Sequence, residues 1–496
     1  MKLSFAVVAL LPHLAASSTV LETNPNGCID PSEYDDGTDF FPQKFVPDET
    51  TDYLSVSYHN TYKIVTNLYS DKSYLLYQCG TEPPTDEVSS GKYHVVLPVP
   101  HVGGLAITET AQIPPLEILA RRSEILAYIG DPKLVSSPCL QYLMNDDDDA
   151  DNSSASVETI YYPDDPYNQT LIDVGTFEFL ERNPNAIVLE GLFGNVDGDR
   201  HVSDTQTQER TAVATFDWLG MYAALFNLEG MANDIIAETK SRYECAARNA
   251  ASLTSDVAED EKPRILWAEY FDGIGWSIAD CPTWDAAYYC EYAHQCGASI
   301  VSRPEGMGFN ESYGGEEVYW YLTDDEFLQL GKDAETWIYP SPTFSDVYDQ
   351  KSEILDQFVS VEKGQVYDTQ GEGPFGWHEQ RLAEYDVVAL DLCSIVGTVN
   401  PTNVHNRRWF RNYFTEPIGS PGTCDVDSID MPYVPAKGMC TPIAMTTTTT
   451  TGGGVGSGGT SAEAEGVAQG TSAAGNLAMM SVQAVAVAWI ASALLA

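Results

Sequence analysis

The chain has 496 residues, 43% of them hydrophobic, enough for two or three ordinary domains with sizeable cores. Its 73 acidic residues stand against 25 basic ones, a net charge of −48. That balance excludes a nucleic-acid-binding role and fits either a solubilising surface or one that gathers cations.

In chain order, residues 1–18 read as a secretory signal peptide. Lys2 is followed by an apolar run over 3–11 and by small residues at 14–18. Residues 19–59 are polar, acidic and proline-bearing, and are expected to be irregular. Residues 60–210 carry β-rich runs at Tyr62–Asn67, 74–78, Val95–Val99 and Ile187–Glu190. Between them lies "HVGGLAITETAQIPPLEILARRSEILAYIGDPKLVSS", residues 101–137. It leaves a strand through small residues, turns into a helix and returns, a β-loop-α-β unit that places ligands at the loop. The acidic run "NDDDDADNSS", 145–154, reads as a solvated insertion and lacks the spacing of an EF-hand calcium loop.

Residues 211–252 form the expected link. Val213, Phe216, Ala223 and Phe226 recur at helical spacing, Gly230 breaks the run, and 231–251 continues as a second helix. About 30 Å of helix suffices to bridge two lobes. Residues 263–415 repeat the strand and helix pattern, with strands at 265–270, 337–339 and 365–367 and helices at 324–330, 346–358 and 378–396. Residues 416–475 hold the last cysteines, six consecutive threonines (446–451) and "GGGVGSGG", the composition of a flexible stalk. In the final segment, 476–496, residues 481–496 are apolar and uncharged, and small residues precede the segment at 470–474. This is the pattern of a GPI-attachment signal, with a retained membrane helix as the alternative.

Ten cysteines, none in the leader or the final tail, point to disulfides in an oxidising compartment. Cys281, Cys290 and Cys296 lack the short C-x₂₋₄-C pair of zinc sites. Sequons at Asn152, Asn168 and Asn310 agree with a secreted glycoprotein.

Catalytic motifs fail one by one. "HEQRL", 378–382, has Leu382 where a zinc helix needs its second histidine. "GEGPFG", 371–376, matches G-x-G-x-x-G, but helix follows it and no strand delivers an acidic residue to a ribose. There is no G-x-S-x-G elbow and no P-loop. No enzyme activity and no cofactor are expected.

What remains is the carboxyl ends of strands, where open α/β sheets hold ligands. The candidate ligand-binding residues there are His101, Glu190, Arg200, His201, Tyr270, Trp276, Tyr339, Trp377 and His378. Aromatics with a few polar groups suit a bulky, partly apolar ligand. Each has a plainer reading: His101 as a structural histidine, Tyr339 and Trp276 as lobe packing.

The order of these motifs resembles the class III periplasmic binding proteins, the helical-backbone metal receptors, in their ferric-siderophore-binding type. "YKIVTN" is similar to the family's opening strand. "TETAQIPPLEILARRSEILAYIGDPKLVSS" is similar to its helix-Gly-Asp-strand unit. "DVGTFEFLERNPNAIVLEG" is similar to its helix ending in x-x-P-D-x-V, with Asn185 in place of the aspartate. "LFNLEGMANDIIAETKSRYECA" resembles the start of the backbone helix, "RILWAEYFDGIGWSIAD" the strand opening the second lobe, "FLQLGKDAETWIYP" its helix-strand unit, and "FVSVEKGQVYDTQ" the V-x-x-G-x-V-Y signature.

The resemblance covers about 60–415. It implies an α/β fold of two β/α lobes joined by a single long backbone helix, with a cleft between the lobes. It also implies binding and delivery rather than turnover. The protein is therefore expected to be a GPI-anchored receptor on the extracellular face of the plasma membrane, holding a ferric siderophore or related metal chelate for iron uptake. Its downstream uptake partner is not identifiable from sequence. Alternatives are a receptor for haem or for bare metal ions through His101, Glu190 and His378, and a surface glycoprotein that keeps only the fold. An acidic protein is expected to favour neutral or cationic hydroxamate chelates over triply charged catecholates.

Overall fold

The computed structural model describes residues 21–443, apart from 35–36, 145–155, 167, 192–197, 279–280, 282–287, 312–318, 403–404, 425 and 430. The leader, the acidic insertion with Asn152, the threonine stalk and the apolar tail lie outside the described residues.

The N-terminal part holds two sheets. Strands β1 (Leu54–Tyr58), β2 (Tyr62–Asn67), β3 (Lys72–Gln78) and β4 (Val95–Val99) run in that order, antiparallel until the parallel β3–β4 pair, which is connected through the short helix α1 (Thr85–Val88). The second sheet is fully parallel, in the order β7-β6-β5-β8-β9. It comprises β5 (Leu105–Ile107), β6 (Ile125–Ile129), β7 (Glu158–Ile160), β8 (Ile187–Glu190) and β9 (His201–Ser203). Helices α2 (Ile113–Ile118), α3 (Pro138–Met144) and α4 (Gln169–Arg182) make the crossovers that parallel strands require.

Three helices link the halves: α5 (Ala212–Asp217), α6 (Leu219–Phe226) and α7 (Glu229–Thr254). The break expected at Gly230 lies instead at Asn227, which adopts a left-handed conformation (φ 59°). Gly230 falls in the first turn of α7. At 26 residues α7 is about 39 Å long. Ala232, Thr239, Tyr243, Ala246 and Ala250 form its buried stripe, and Glu238–Arg242 and Glu244–Arg248 pair at i,i+4 on its outer side.

The C-terminal lobe centres on a mixed sheet in the order β11-β10-β15-β16-β17, with β12 on the first half of β10. Its strands are β10 (Arg264–Phe271), β11 (Gly275–Ile278), β12 (Ser299–Ile300), β15 (Thr336–Tyr339), β16 (Val366–Asp368) and β17 (Arg411–Asn412); β10, β12, β15 and β16 are parallel. A hairpin of β13 (Phe309–Glu311) and β14 (Tyr319–Tyr321) stands apart. The helices are α8 (Tyr288–Gln295), α9 (Asp324–Gly331), α10 (Phe344–Leu355), α11 (Val359–Glu362), α12 (Gly376–Glu379) and α13 (Tyr385–Ile395). The single helix expected over 378–396 is thus broken. Glu384 (φ −126°, ψ 32°) interrupts it, and both Glu379 and Glu384 turn fully inward.

Strand alternation sorts the core into layers. Leu105, Ile107, Ile187 and Leu189 in the N-terminal lobe, and Ile265, Trp267, Ile338 and Tyr367 in the C-terminal lobe, face one shared core with α5, α6 and α13. Their neighbours Ala106 and Val188, or Leu266, Trp337 and Val366, face separate outer cores. The segment before β1 joins the shared core through Phe40, Phe41 and Phe45. Gly220 on α6 is required there, because a Cβ would stand 2.3 Å from the Phe45 ring.

All ten cysteines pair, as Cys28–Cys79, Cys139–Cys424, Cys245–Cys440, Cys281–Cys290 and Cys296–Cys393. No helix among the described residues is long and apolar enough to cross a membrane.

Candidate functional site

The carboxyl ends of β5 and β16 meet at one seam. After β5 the chain forms a 3-10 turn, Thr110–Gln112; after β16 it forms α12; and these two short elements pack on each other. The turn is fixed by a reciprocal cap between Glu109 and Gln112, with Gln112 Oε1 accepting from the Thr108 and Glu109 amides at 2.9 and 3.2 Å. Glu109 lies against Gly191, just past β8, where a Cβ would come 2.1 Å from its carboxyl carbon. Only glycine leaves that room. The Gly191 amide donates to Thr108 Oγ1 at 2.8 Å.

From the other lobe, α12 presents Trp377, His378 and Glu379. Glu379 Oε2 accepts from the Ser136 amide at 2.6 Å, so the C-terminal lobe caps the approach to α3 of the N-terminal lobe. Burial pushes the Glu379 carboxyl up to about 8, and nearby Glu117 adds to the rise. Burial, with the Arg381 charge beside it, pushes His378 down to about 3. Near neutral pH the seam therefore presents a neutral imidazole and a largely protonated carboxyl.

Arg381 stands at the seam on two aromatic faces. Its guanidinium lies 4.3 Å over the Tyr288 ring and 5.0 Å over the Trp377 ring, and its shielded Nε has no hydrogen-bond partner. No carboxylate pairs with it among the described residues, although the chain is strongly acidic. A half-buried guanidinium stacked on aromatic faces keeps its donor edge for an acceptor brought from outside.

The nine sequence candidates do not converge. Trp377 and His378 stand at the seam. Glu190 ends β8 at the same sheet edge, its Oε2 3.7 Å from Lys72 Nζ. Arg200 and His201 lie at the opposite edge. Parallel pairing sets Val188 beside His201, so β9 begins at the amino end of β8 rather than beside Glu190. There the Arg200 guanidinium donates to the carbonyls of Leu180, Asn183 and Pro184 around the end of α4. His101 is buried, with Nε2 3.1 Å from the Gly104 carbonyl.

Tyr270, Trp276 and Tyr339 do assemble, but in the outer core of the C-terminal lobe. Trp276 is fully buried, stacked 3.9 Å from Phe327, with Nε1 donating to Asp324 at 2.8 Å. The Tyr339 hydroxyl accepts from the Tyr270 amide at 3.2 Å. Lys351 sits 4.2 Å over the Tyr270 ring. The bare-metal triad does not form: no three His, Cys, Asp or Glu side chains converge as metal ligands among the described residues. Glu109, Tyr288, Glu379 and Arg381 were missed. The Glu109-x-x-Gln112 cap and the arginine within "HEQRL" were the available signals.

No family model matches the chain. An uncharacterized lipoprotein of Methanocaldococcus jannaschii is 22% identical over 261 residues, 46% of this chain and 52% of the relative, so the match spans about half the relative's length. Among solved structures, a periplasmic haem-binding protein from Pseudomonas aeruginosa is similar at 9% identity, covering 64% of this chain and 99% of that one, with a TM-score of 0.42. A periplasmic haem-binding protein of Vibrio cholerae covers 60% and 99% at 9% identity and a TM-score of 0.40. The periplasmic vitamin B12-binding protein of Vibrio cholerae covers 59% and 96% at 11% identity and a TM-score of 0.36.

Proposed function

We propose that this protein is a cell-surface receptor that binds a ferric siderophore or related metal chelate between its lobes and serves iron uptake without transforming its ligand. The ordered motifs over about 60–415 support the reading, as do two sheets whose parallel strands bring their carboxyl ends to one seam. The observation that carries it is Arg381, a cation stacked on Tyr288 and Trp377 at that seam. A ligand offering one carboxylate, or an uncharged hydroxamate oxygen, beside a flat organic shell satisfies those groups. A triply charged catecholate exceeds what one arginine offsets within a chain of net charge −48. A haem is the second reading, since a flat macrocycle bearing carboxylates presents the same two features.

Surface display through a GPI anchor belongs to the same proposal. It rests on the leader and tail sequences and on five disulfides. Release of the protein from cells by phosphatidylinositol-specific phospholipase C tests it, and retention beside a released control counts against it.

The ligand test is tryptophan quenching by hydroxamate, carboxylate and catecholate ferric complexes, haem and ferric ion alone. One chelate class is expected to bind, and Arg381→Gln to weaken it by about 10- to 100-fold, the worth of a charged hydrogen bond. Silence with every ligand, from a folded protein, overturns the receptor reading. Tight binding indifferent to Arg381→Gln overturns the site.

A further inference from the structure

The last described stretch, 419–443 apart from 425 and 430, touches the C-terminal lobe, the N-terminal lobe and the long linking helix. It leaves the C-terminal lobe where the Gly419 amide donates to the Gln370 carbonyl at 3.0 Å, just past β16. It reaches the N-terminal lobe through Cys424, bonded to Cys139 on α3. Arg122 there donates through Nη1 to the carbonyls of Ile429 and Met431 at 2.6 and 3.1 Å, and the Tyr433 amide donates to the Glu117 carbonyl at 3.1 Å.

The stretch then returns to α13 and its approach. The Tyr433 hydroxyl and the Ala436 amide both donate to Glu384 Oε1, and the Gly438 amide donates to Asp386 Oδ2. It ends on α7, through Cys440 bonded to Cys245 and through Asn249, which pairs with Thr441 and Ile443.

The grip falls mostly on main chain. Met431, Val434 and Met439 point outward, 62–74% exposed. The gripping groups are buried: Arg122 is 6% exposed, and Glu384 and Asp386 are fully enclosed. Arg122 is itself oriented by Glu117, 2.6 Å from its Nε. Glu117, Arg408 and Arg242 balance the charges of Arg122, Glu384 and Asp386, and the strap supplies the remaining hydrogen bonds of these buried groups. The strap touches α2, α3 and α13, the elements flanking the contact between α12 and the 110–112 turn.

We propose that residues 419–443 are a strap that holds the two lobes closed across their seam, with Cys139–Cys424 as its removable bolt. Both cysteines of that bridge are partly exposed, whereas Cys296–Cys393 is buried inside the shared core. A dithiol reductant can therefore reach the bolt before Cys296–Cys393, as it can the likewise partly exposed Cys281–Cys290, whose short loop lies away from the strap. It passes two electrons to the Sγ–Sγ bond, each sulfur leaves as a thiol with one proton, and the dithiol closes to its own disulfide. The seam elements of the two lobes are then free to open locally while the shared core and the sheets stay intact.

Hydrogen exchange read by mass spectrometry on the intact chain tests this, before and after mild dithiol treatment with alkylation mapped to Cys139 and Cys424. Exchange at 110–112, 136–144 and 376–379 is expected to rise about 10-fold or more, with 187–190 and 336–339 unchanged. The Cys139→Ser, Cys424→Ser variant should behave alike. If it fails to fold, Arg122→Gln with Tyr433→Phe weakens the grip while leaving the bridge, and should raise the same segments by less. Seam exchange that stays at its starting level after mapped reduction and in the Arg122→Gln, Tyr433→Phe variant overturns the strap. A rise spread evenly over both sheets overturns it too, since that is global unfolding.

Discussion

The two outer cores are built from different materials. Behind the N-terminal sheet lie Ala106, Ala127, Ala186, Val188, Ile129 and Ile160, closed over by Phe179 and Leu180 of α4. Behind the C-terminal sheet lie Trp276, Trp337, Tyr339, Phe327, Phe344 and Phe358, with rings in contact throughout. On the first side, small strand residues leave the helix to supply the bulk. On the second, strand and helix both contribute rings, and Trp276 with Trp337 fills the space between them. The lesson concerns function: a dense aromatic cluster can be packing alone, so ring density does not mark the proposed site, whereas Arg381 lying over Tyr288 and Trp377 does.

That contrast breaks first at Trp276. Trp276→Ala removes a fully buried ring and one of the donors to Asp324, which keeps Lys351, so it should cost about 3–5 kcal/mol of stability in denaturant unfolding. It should leave chelate affinity unchanged in the fraction that remains folded. A loss of affinity without a loss of stability would return this tryptophan to the ligand site.

Between the two cores lies Glu379, which adds a pH term. Its folded pKa is raised to about 8 from an ordinary value of 4.5. Between those values the native state keeps a proton that the unfolded chain releases, so stability falls as pH rises through the window, by up to about 1.4 kcal/mol per unit. Glu379→Gln keeps an acceptor for the Ser136 amide and removes the titration. From pH 5 to pH 7 the variant should gain about 2–3 kcal/mol on the parent. Parallel stability curves for the two proteins would show that Glu379 does not carry this dependence.

The smallest effect belongs to the far side of α4. Leu171, Val174 and Phe177 are 38%, 49% and 62% exposed on a single face. Phe177→Ser should shift stability by less than about 0.5 kcal/mol. A cost above about 2 kcal/mol would mean this face is covered, and the contrast between the lobes would shrink.

Local pattern carried the fold far. Three strands, at Tyr62–Asn67, Val95–Val99 and Ile187–Glu190, have the bounds expected from their β-rich runs, because period and composition are properties of a few consecutive residues. The site was less legible, for reasons visible in particular residues. Trp276 lies inside β11 and Tyr339 ends β15, and a strand aromatic reads the same whether its face meets a ligand or another helix. Arg200 follows β8 in sequence, yet the parallel partner β9 carries it to the far edge. The strap was illegible altogether: Arg122 and Ile429 are 307 residues apart, and a bond to a carbonyl requires no particular residue at its far end.

The bond between Cys245 and Cys440 has a mechanical consequence. Whatever tethers the chain beyond residue 443 pulls first on Asn249 and on this bridge, both on the long helix α7. Tension therefore enters the molecule at its longest helix through a covalent link rather than through a strand. A pull on the chain beyond residue 443 is thus borne by this bridge and the long helix before it reaches the seam between the lobes.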